Sequence, residues 1–287
     1  MSADNGLRSD APPRTMAGMG ATVDRDPAAR VAGYLAGLFG LEGRTAVVTG
    51  GTSGLGAACA VALASAGADV IMSGRDARRG ERIVGAIADR GAHAELELAD
   101  LRTPEQVRDF AARVLGRRDG VDILVNAAGI FLRSKGADAP LDEWQQTFDV
   151  NVTATFLLCQ AFGRPMIDRG RGKIINFAST DGIVGVPEQA AYCASKGAVI
   201  QLTRTLGAEW IAHGVNVNAI GPCDFETPMV GDVLSDPEYR DWILQAIPAG
   251  RVGQPDELAG AVVYLASQAS NMVVGHTLLV DGGRTVI

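Results

Sequence analysis

From residue 44 onward two hydrophobic patterns alternate: short apolar runs, and longer stretches in which apolar residues return every three to four positions. The first is the pattern of strands and the second that of amphipathic helices. Strands are predicted at Thr45 to Thr49, Asp69 to Ser73, Ala94 to Leu98, Ile123 to Asn126, Lys173 to Ala178, Val215 to Ile220 and Thr277 to Val280. Helices are predicted near 55–67, 76–90, 104–116, 142–169, 191–212 and 255–268. Strict strand–helix alternation with right-handed crossovers implies a single-domain, doubly wound α/β fold: a seven-stranded parallel sheet with helices on both faces.

Residues 1 to about 30, rich in Ala, Gly, Pro, Asp and Arg, show no sustained apolar period, and a disordered tail is expected, with Met16 and Met19 as alternative starts. Arg30 to Leu41 carries Val31, Tyr34, Leu35, Leu38 and Phe39 at helical spacing, and a short helix packing on the body or a neighbouring subunit is predicted. The chain thus divides into an extension, 1–40, and one catalytic domain, 41–287. Cys223 to Gly250 reads as a long irregular insert, and a loop of that length in a compact domain is usually functional; a substrate lid is expected there.

Composition narrows the function classes. The 287 residues are 47% hydrophobic, enough for a full core, and carry a net charge of −7 with no long basic run, which disfavours nucleic acid. No apolar run is long enough to span a bilayer and the first forty residues lack a secretory apolar core, so a cytoplasmic protein without membrane association is expected. Cys59, Cys159, Cys193 and Cys223 lack metal-ligand spacing and read as free thiols, and His93, His213 and His276 are scattered singly, so no metal site is expected.

Candidate chemistry begins at Gly50, Gly54 and Gly56, which follow a strand and open a helix. There the backbone can approach a pyrophosphate while the helix N-terminus supplies donors, as in Rossmann-type folds. Tyr192 and Lys196, four apart on a predicted helix, share one face, where an ammonium could favour the phenolate and make Tyr192 a proton donor and acceptor near neutral pH. Ser179 ends the fifth strand, at the carboxyl edge of a parallel sheet where ligands bind. The spacing G-x-x-x-G-x-G, followed by Ser179 and Tyr192-x-x-x-Lys196, resembles the short-chain dehydrogenase/reductase family, and the resemblance runs from about Leu41 to Ile287.

That resemblance implies a catalytic tetrad of Asn151, Ser179, Tyr192 and Lys196: Ser179 orients a substrate carbonyl, Tyr192 moves the proton, Lys196 also holds the nicotinamide ribose, and Asn151 anchors water leading from Lys196 to solvent. It implies cofactor contacts from Gly50, Thr52, Ser53, Gly54, Leu55 and Gly56, from Asp100 and Leu101, from Asn126, Ala127 and Gly129, and from Pro222 and Thr227. Asp100 is equally readable as a helix N-cap and Asn126 as a turn residue. Cys223 stands where the family has glycine, which alters the turn or intrudes on the pocket. Arg251 to Glu257 and Val280 to Gly283 also match the family and are assigned to helix initiation and subunit packing.

After the second strand the run is Met72-Ser73-Gly74-Arg75-Asp76. An NAD enzyme usually carries an acidic residue where Gly74 stands. Arg75, with Ser73, can instead read a 2′-phosphate; the competing reading leaves Arg75 as a solvated helix-start residue. The expected function is interconversion of a secondary alcohol and a ketone with NADP(H), on a sugar, polyol, hydroxyacid or acyl ketone, with Asp224 and Glu226 as candidate substrate contacts. The alternatives are an NAD-dependent polyol or sugar-acid dehydrogenase and a cofactor-binding regulatory protein without turnover. A homotetramer or homodimer is expected through the helices bearing Asn151 and Tyr192, with Phe148, Val152, Thr155, Phe156 and Cys159 as candidate faces.

Overall fold

A computed structural model describes residues 27–234 and 236–286. In chain order these form α1 (Pro27–Phe39), β1 (Thr45–Thr49), α2 (Gly54–Ser65), β2 (Asp69–Gly74), α3 (Ala77–Ala88), β3 (Ala94–Leu98), α4 (Pro104–Leu115), β4 (Ile123–Asn126), α5 (Leu141–Phe148), α6 (Ala154–Asp168), β5 (Gly172–Phe177), α7 (Ala190–Trp210), β6 (Val215–Pro222), α8 (Pro228–Leu234), α9 (Pro237–Ala246), α10 (Ala259–Ala266) and β7 (Thr277–Val280). Of the predicted tail, the part before residue 27 lies outside the described residues. Helix α1 falls mainly in a separate N-terminal unit ending at Gly37, and its Val31, Tyr34 and Leu35 are exposed.

The strands form one parallel sheet in the order β3-β2-β1-β4-β5-β6-β7. Successive strand residues point to opposite faces, and each face has its own core. Ala46, Val48, Ile123, Val125 and Ile175 pack with Cys59 and Leu63 of α2 and Val262 and Leu265 of α10. Val47, Leu124 and Ile174 pack on the other face with Phe110 of α4 and Leu158 and Phe162 of α6. Strand order reverses between β1 and β4, where Thr49 pairs in register with Asn126. At such a switch point the connections leave in opposite directions and open a crevice at the carboxyl ends of the strands.

Two elements depart from the sequence reading. The predicted helix 142–169 is interrupted by a π-turn at Asp149–Thr153, between α5 and α6. One extra residue in the turn rotates Asn151 inward, where it is buried. The insert after β6 is not irregular, since it contains α8 and α9. The signals for α9 were local: Asp236 caps it by accepting from the Glu238 and Tyr239 amides, and Pro237 occupies its first turn.

A buried amide ladder ties the sheet to α7. Asn126 Nδ2 donates to Asn176 Oδ1 at 2.9 Å, Asn176 Nδ2 donates to Thr203 Oγ1 at 3.0 Å, and Thr203 Oγ1 donates to the Val199 carbonyl at 2.8 Å. Asn126 is therefore a structural member of the β4–β5 layer, bonded away from the cleft. Replacing Asn176 with Ala should strand its buried partners at about 1–3 kcal/mol each. The urea midpoint should fall with an unchanged m-value; an unchanged midpoint would mean that the ladder does not hold α7 on the sheet.

Candidate active site

The cleft at the switch point begins with the turn after β1. Gly50 has φ +69°, and a Cβ there would lie 2.9 Å from the Ala128 backbone; one on Gly56 would lie 2.3 Å from the Gly50 carbonyl oxygen. Side chains are thus excluded, and the backbone amides at the start of α2 are left facing the cleft. Ser53 sits at the N-cap but makes no capping hydrogen bond, which leaves these donors at the positive end of the helix dipole without a cap from it. The cleft, about 590 Å³, runs from this turn past Asp100 and Leu101, Ala127 and Gly129 to Tyr192, Lys196, Pro222 and Thr227. Of the sequence-derived cofactor residues only Asn126 does not line it.

At the far end, steric fit governs residue 74. A Cβ on Gly74 would fall 2.2 Å from Thr52 Oγ1 and 2.5 Å from its Cγ2. Thr52 therefore occupies the space in which a carboxylate-bearing side chain would start. The Ser73 hydroxyl is buried without a hydrogen-bond partner among the described residues, and Arg75, Arg79 and Arg102 surround this mouth. Arg79 pairs with Asp76 at 3.2 Å, and Arg102 is chelated by Asp100 through contacts of 2.6 and 2.8 Å. Among the described residues no carboxylate forms a salt bridge with Arg75. Asp100 is not a helix cap, since Thr103 takes that place at α4 by accepting from the Gln106 amide; the sequence reading missed Arg102, whose position depends on Asp100.

At the chemical end, Ser179, Tyr192 and Lys196 come together. Lys196 is buried and its Nζ donates to the Phe177 carbonyl, which ends β5, at 2.8 Å. It stands 5.5 Å from the Tyr192 ring centroid, and Phe131 packs edge-on against the same ring at 5.0 Å. Ser179, at the start of a 3₁₀ turn over Thr180–Gly182, accepts from the Asp181 amide at 3.1 Å and donates to the Pro222 carbonyl at 3.5 Å. Asn151 accepts from the Ile130 amide at 2.8 Å and donates to the Ile130 carbonyl at 3.0 Å and to Ser195 Oγ at 3.1 Å. Its side chain thus pins the loop after β4 to α7.

The electrostatics correct one expectation. Burial pushes the Tyr192 phenol upward from its ordinary value, the Asp181 carboxylate adds to this, and the neighbouring Ser179 hydroxyl opposes them. The protein by itself therefore holds Tyr192 as a neutral phenol near neutral pH. Burial also brings the Lys196 ammonium down to about 8, opposed by the charge of Asp181. The spacing of Tyr192 and Lys196 was legible in the sequence, whereas the depth of burial was not.

A side chamber opens from Tyr192, lined among others by Ser179, Asp181, Gln189, Cys223, Asp224 and Tyr239. Asp224 is present as expected, but Glu226 is exposed outside it and accepts from Gln254 Nε2 at 2.7 Å. Cys223 lies at negative φ, so its backbone is unstrained without glycine; the residue lines the chamber, its thiol lies 3.7 Å from the Asp224 carbonyl, and burial and Asp224 raise its pKa to about 12. Arg251 pairs with Glu257, which caps the turn at Gln254 and so starts the segment leading to α10. The C-terminal turn does more than pack: Asp281 accepts from the Gly283 and Thr285 amides and turns the chain so that Arg284 reaches Asp181 and Asp224. Asp181, two residues after Ser179, and Gln189, three before Tyr192, lie near the motif residues in sequence, whereas Tyr239 and Arg284 are remote and carried no positional signal. Among the described residues no group of three or more His, Cys, Asp or Glu could hold a metal ion, and no helix is long and apolar enough to cross a membrane.

Residues 49–285 match a protein-family model described as enoyl-(acyl carrier protein) reductase. The chain is 43% identical over 251 residues to the 2-dehydro-3-deoxy-D-gluconate 5-dehydrogenase of Bacillus subtilis, covering 88% of this chain and 98% of that protein. It is 39% identical to the gluconate 5-dehydrogenase of Gluconobacter oxydans, over 87% of this chain and 97% of the relative. Among solved structures, a gluconate 5-dehydrogenase from Burkholderia cenocepacia in complex with NADP and tartrate superposes with a TM-score of 0.84 at 38% identity, covering 88% of this chain and 99% of that one.

The contact between Thr52 and Gly74 has a measurable consequence. Gly74→Asp alone should lower the thermal midpoint, because overpacking typically costs about 1–3 kcal/mol. Combining it with Thr52→Gly should restore most of the loss. Equal midpoints for the single variant and the parent would show that Thr52 does not exclude a side chain at 74.

Proposed function

The chain belongs to the short-chain dehydrogenase/reductase family, and on that premise we propose that it interconverts a secondary alcohol and a ketone on a sugar-like substrate, with NADP(H) as cofactor. The carrying observation is the meeting of Ser179, Tyr192 and Lys196 where the long cleft joins the side chamber. The residues suit NADP(H): uncapped amides at the start of α2 for the pyrophosphate, and the unpartnered Ser73 hydroxyl with Arg75 for the 2′-phosphate. Bound there, NADP(H) supplies the hydride acceptor or donor. NADP in the Burkholderia relative and the sugar-acid names of the curated relatives support the cofactor and the substrate type.

The protein's own part is proton transfer and alignment. Ser179 donates to the substrate oxygen and holds it beside the Tyr192 hydroxyl, which gives up its proton in reduction and takes one in oxidation. Lys196, fixed on the Phe177 carbonyl, supplies positive charge next to the ring and favours the transient phenolate. Asn151 is a positioning residue that holds the Ile130 loop and α7 in place. This constellation argues against a regulatory protein without turnover.

The assembly in this reading is a homodimer or homotetramer in the cytoplasm. Trp144 stacks on Phe148 at 4.8 Å and Phe156 is exposed, so an apolar face remains on the α5–α6 segment. Thr155 and Cys159 belong to the interior and not to that face.

Tyr192→Phe should lower kcat by about 10²- to 10⁴-fold and leave NADPH affinity within a few fold, measured by steady-state assay and fluorescence titration; retained turnover removes Tyr192 from the reaction. Because the phenol is shifted upward, reduction should persist at neutral pH and alcohol oxidation should rise as pH increases. Asp181→Asn removes a charge that disfavours the phenolate, so the oxidation limb should move to lower pH; a limb that stays in place separates Asp181 from Tyr192.

Arg75→Ala should weaken NADP(H) about tenfold to hundredfold, the worth of one charge-assisted contact, and leave NAD(H) nearly unchanged. Parallel losses for both cofactors would return Arg75 to the role of a solvated helix-start residue.

A further inference from the structure

The side chamber contains a charge arrangement that the proton transfer does not require. Arg284 Nη2 lies 3.2 Å from Asp181 Oδ1 and Nη1 lies 2.6 Å from Asp224 Oδ2, with the guanidinium side chain only 6% exposed. Trp242 of α9 lies against the same group, its ring centroid 5.8 Å from Arg284 Cζ. One guanidinium between two carboxylates leaves an excess negative charge when both are ionised. Burial already pushes both carboxyls up from their ordinary range, with Asp224 further raising Asp181 and Arg284 opposing both shifts. Additional negative charge in this chamber therefore carries a high electrostatic cost.

The nearby cations are committed. Arg133 pairs with Glu188 at 2.8 Å and lies 4.3 Å from the Tyr239 ring centroid, while Lys196, held on the Phe177 carbonyl, offsets the Asp181 charge more weakly than Arg284 does. Gln189 supplies an independent observation. It is buried, its Nε2 donates to the Tyr239 hydroxyl at 2.9 Å, and its Oε1 has no partner among the described residues. Asp181, Asp224 and Gln189 thus present hydrogen-bond acceptors to the same small space. Acceptors require donors, and an unpaired buried acceptor is costly.

We propose that the Asp181–Arg284–Asp224 array, together with Gln189, reads substrate hydroxyl groups and makes the enzyme selective for an uncharged polyol and its ketose over the sugar acid of the same carbon skeleton. The inference rests on the oxidoreductase reading above and narrows its substrate. A hydroxyl group donates to a carboxylate or amide oxygen and brings no charge. An ionised substrate carboxylate brings acceptors only, and its charge meets the uncompensated carboxylate. This chain therefore differs in substrate class from relatives named for gluconate.

The test is a matched panel: four-, five- and six-carbon alditols, each paired with the aldonate of the same configuration, assayed at pH 7 with saturating NADP⁺, and the corresponding ketoses and keto acids assayed with NADPH. At least tenfold higher kcat/KM for the uncharged member is expected. Asp181→Asn and Asp224→Asn, which keep shape and remove charge, should reduce that preference about tenfold, chiefly by lowering KM for the acid. Quenching of Trp242 fluorescence, assigned with a Trp242→Phe control, should give the same order of affinities in the NADP⁺-loaded parent protein without reliance on the variants. A parent enzyme that prefers the aldonates, or an unchanged preference in both folded variants, overturns the proposal. Turnover of neither class also rejects it, and an NADPH titration then decides separately whether the oxidoreductase reading stands.

Discussion

The site depends on keeping one ammonium group out of water. Lys196 Nζ is buried against the carbonyl that ends β5, and burial alone brings its pKa down to about 8. A cation in that position is tolerable only if the surrounding chain is held rigidly enough to keep its partner in place and water out. The neighbouring devices serve this end: the π-turn drives Asn151 into the gap between the β4 loop and α7, and a Cβ on Gly129 would lie 3.2 Å from Asn151 Oδ1 and 3.7 Å from Lys196 Nζ. Gly182 packs so closely on α7 that its Cβ would lie 2.7 Å from the Lys196 carbonyl carbon. These contacts set the height of α7 above the sheet, and with it the position of Tyr192.

The cofactor end is governed by shape as much as by charge. A carboxylate at residue 74 would repel a 2′-phosphate, yet the structure excludes it by an earlier step, because Thr52 leaves no room for its Cβ. The arginines at the mouth are not equivalent. Arg79 and Arg102 are held by Asp76 and Asp100, which orders them and offsets their charge, whereas Arg75 has no such salt bridge among the described residues. The proposed reading of a 2′-phosphate rests on this arginine together with the Ser73 hydroxyl, which is buried without a partner among the described residues.

The substrate end is built from segments that meet only in the folded chain. Asp181 comes from the turn after β5, Asp224 from the end of β6, Tyr239 and Trp242 from α9, and Arg284 from the C-terminal turn. The reacting groups sit on the sheet edge and α7, while Asp224, Trp242 and Arg284 come from later segments; Asp181 belongs to both ends, since its charge also acts on Tyr192.

Pattern alone located β1, β3, β4 and β7 with their observed bounds, identified a seven-stranded parallel sheet, and placed the glycine turn between β1 and α2 and Tyr192 with Lys196 on α7; Ser179, expected to end β5, lies two residues beyond it. These features are local: strand runs, helix periods and four-residue spacing are set by backbone geometry and can be read from neighbours in sequence. Tertiary packing decided the rest. It interrupted one predicted helix to bury Asn151, turned Asn126 into a sheet-layer amide, raised the Tyr192 phenol by burial beside Asp181, and carried Arg284 to two carboxylates from the far end of the chain. Burial, close contact and long-range charge depend on which segments meet, and no local pattern records that meeting.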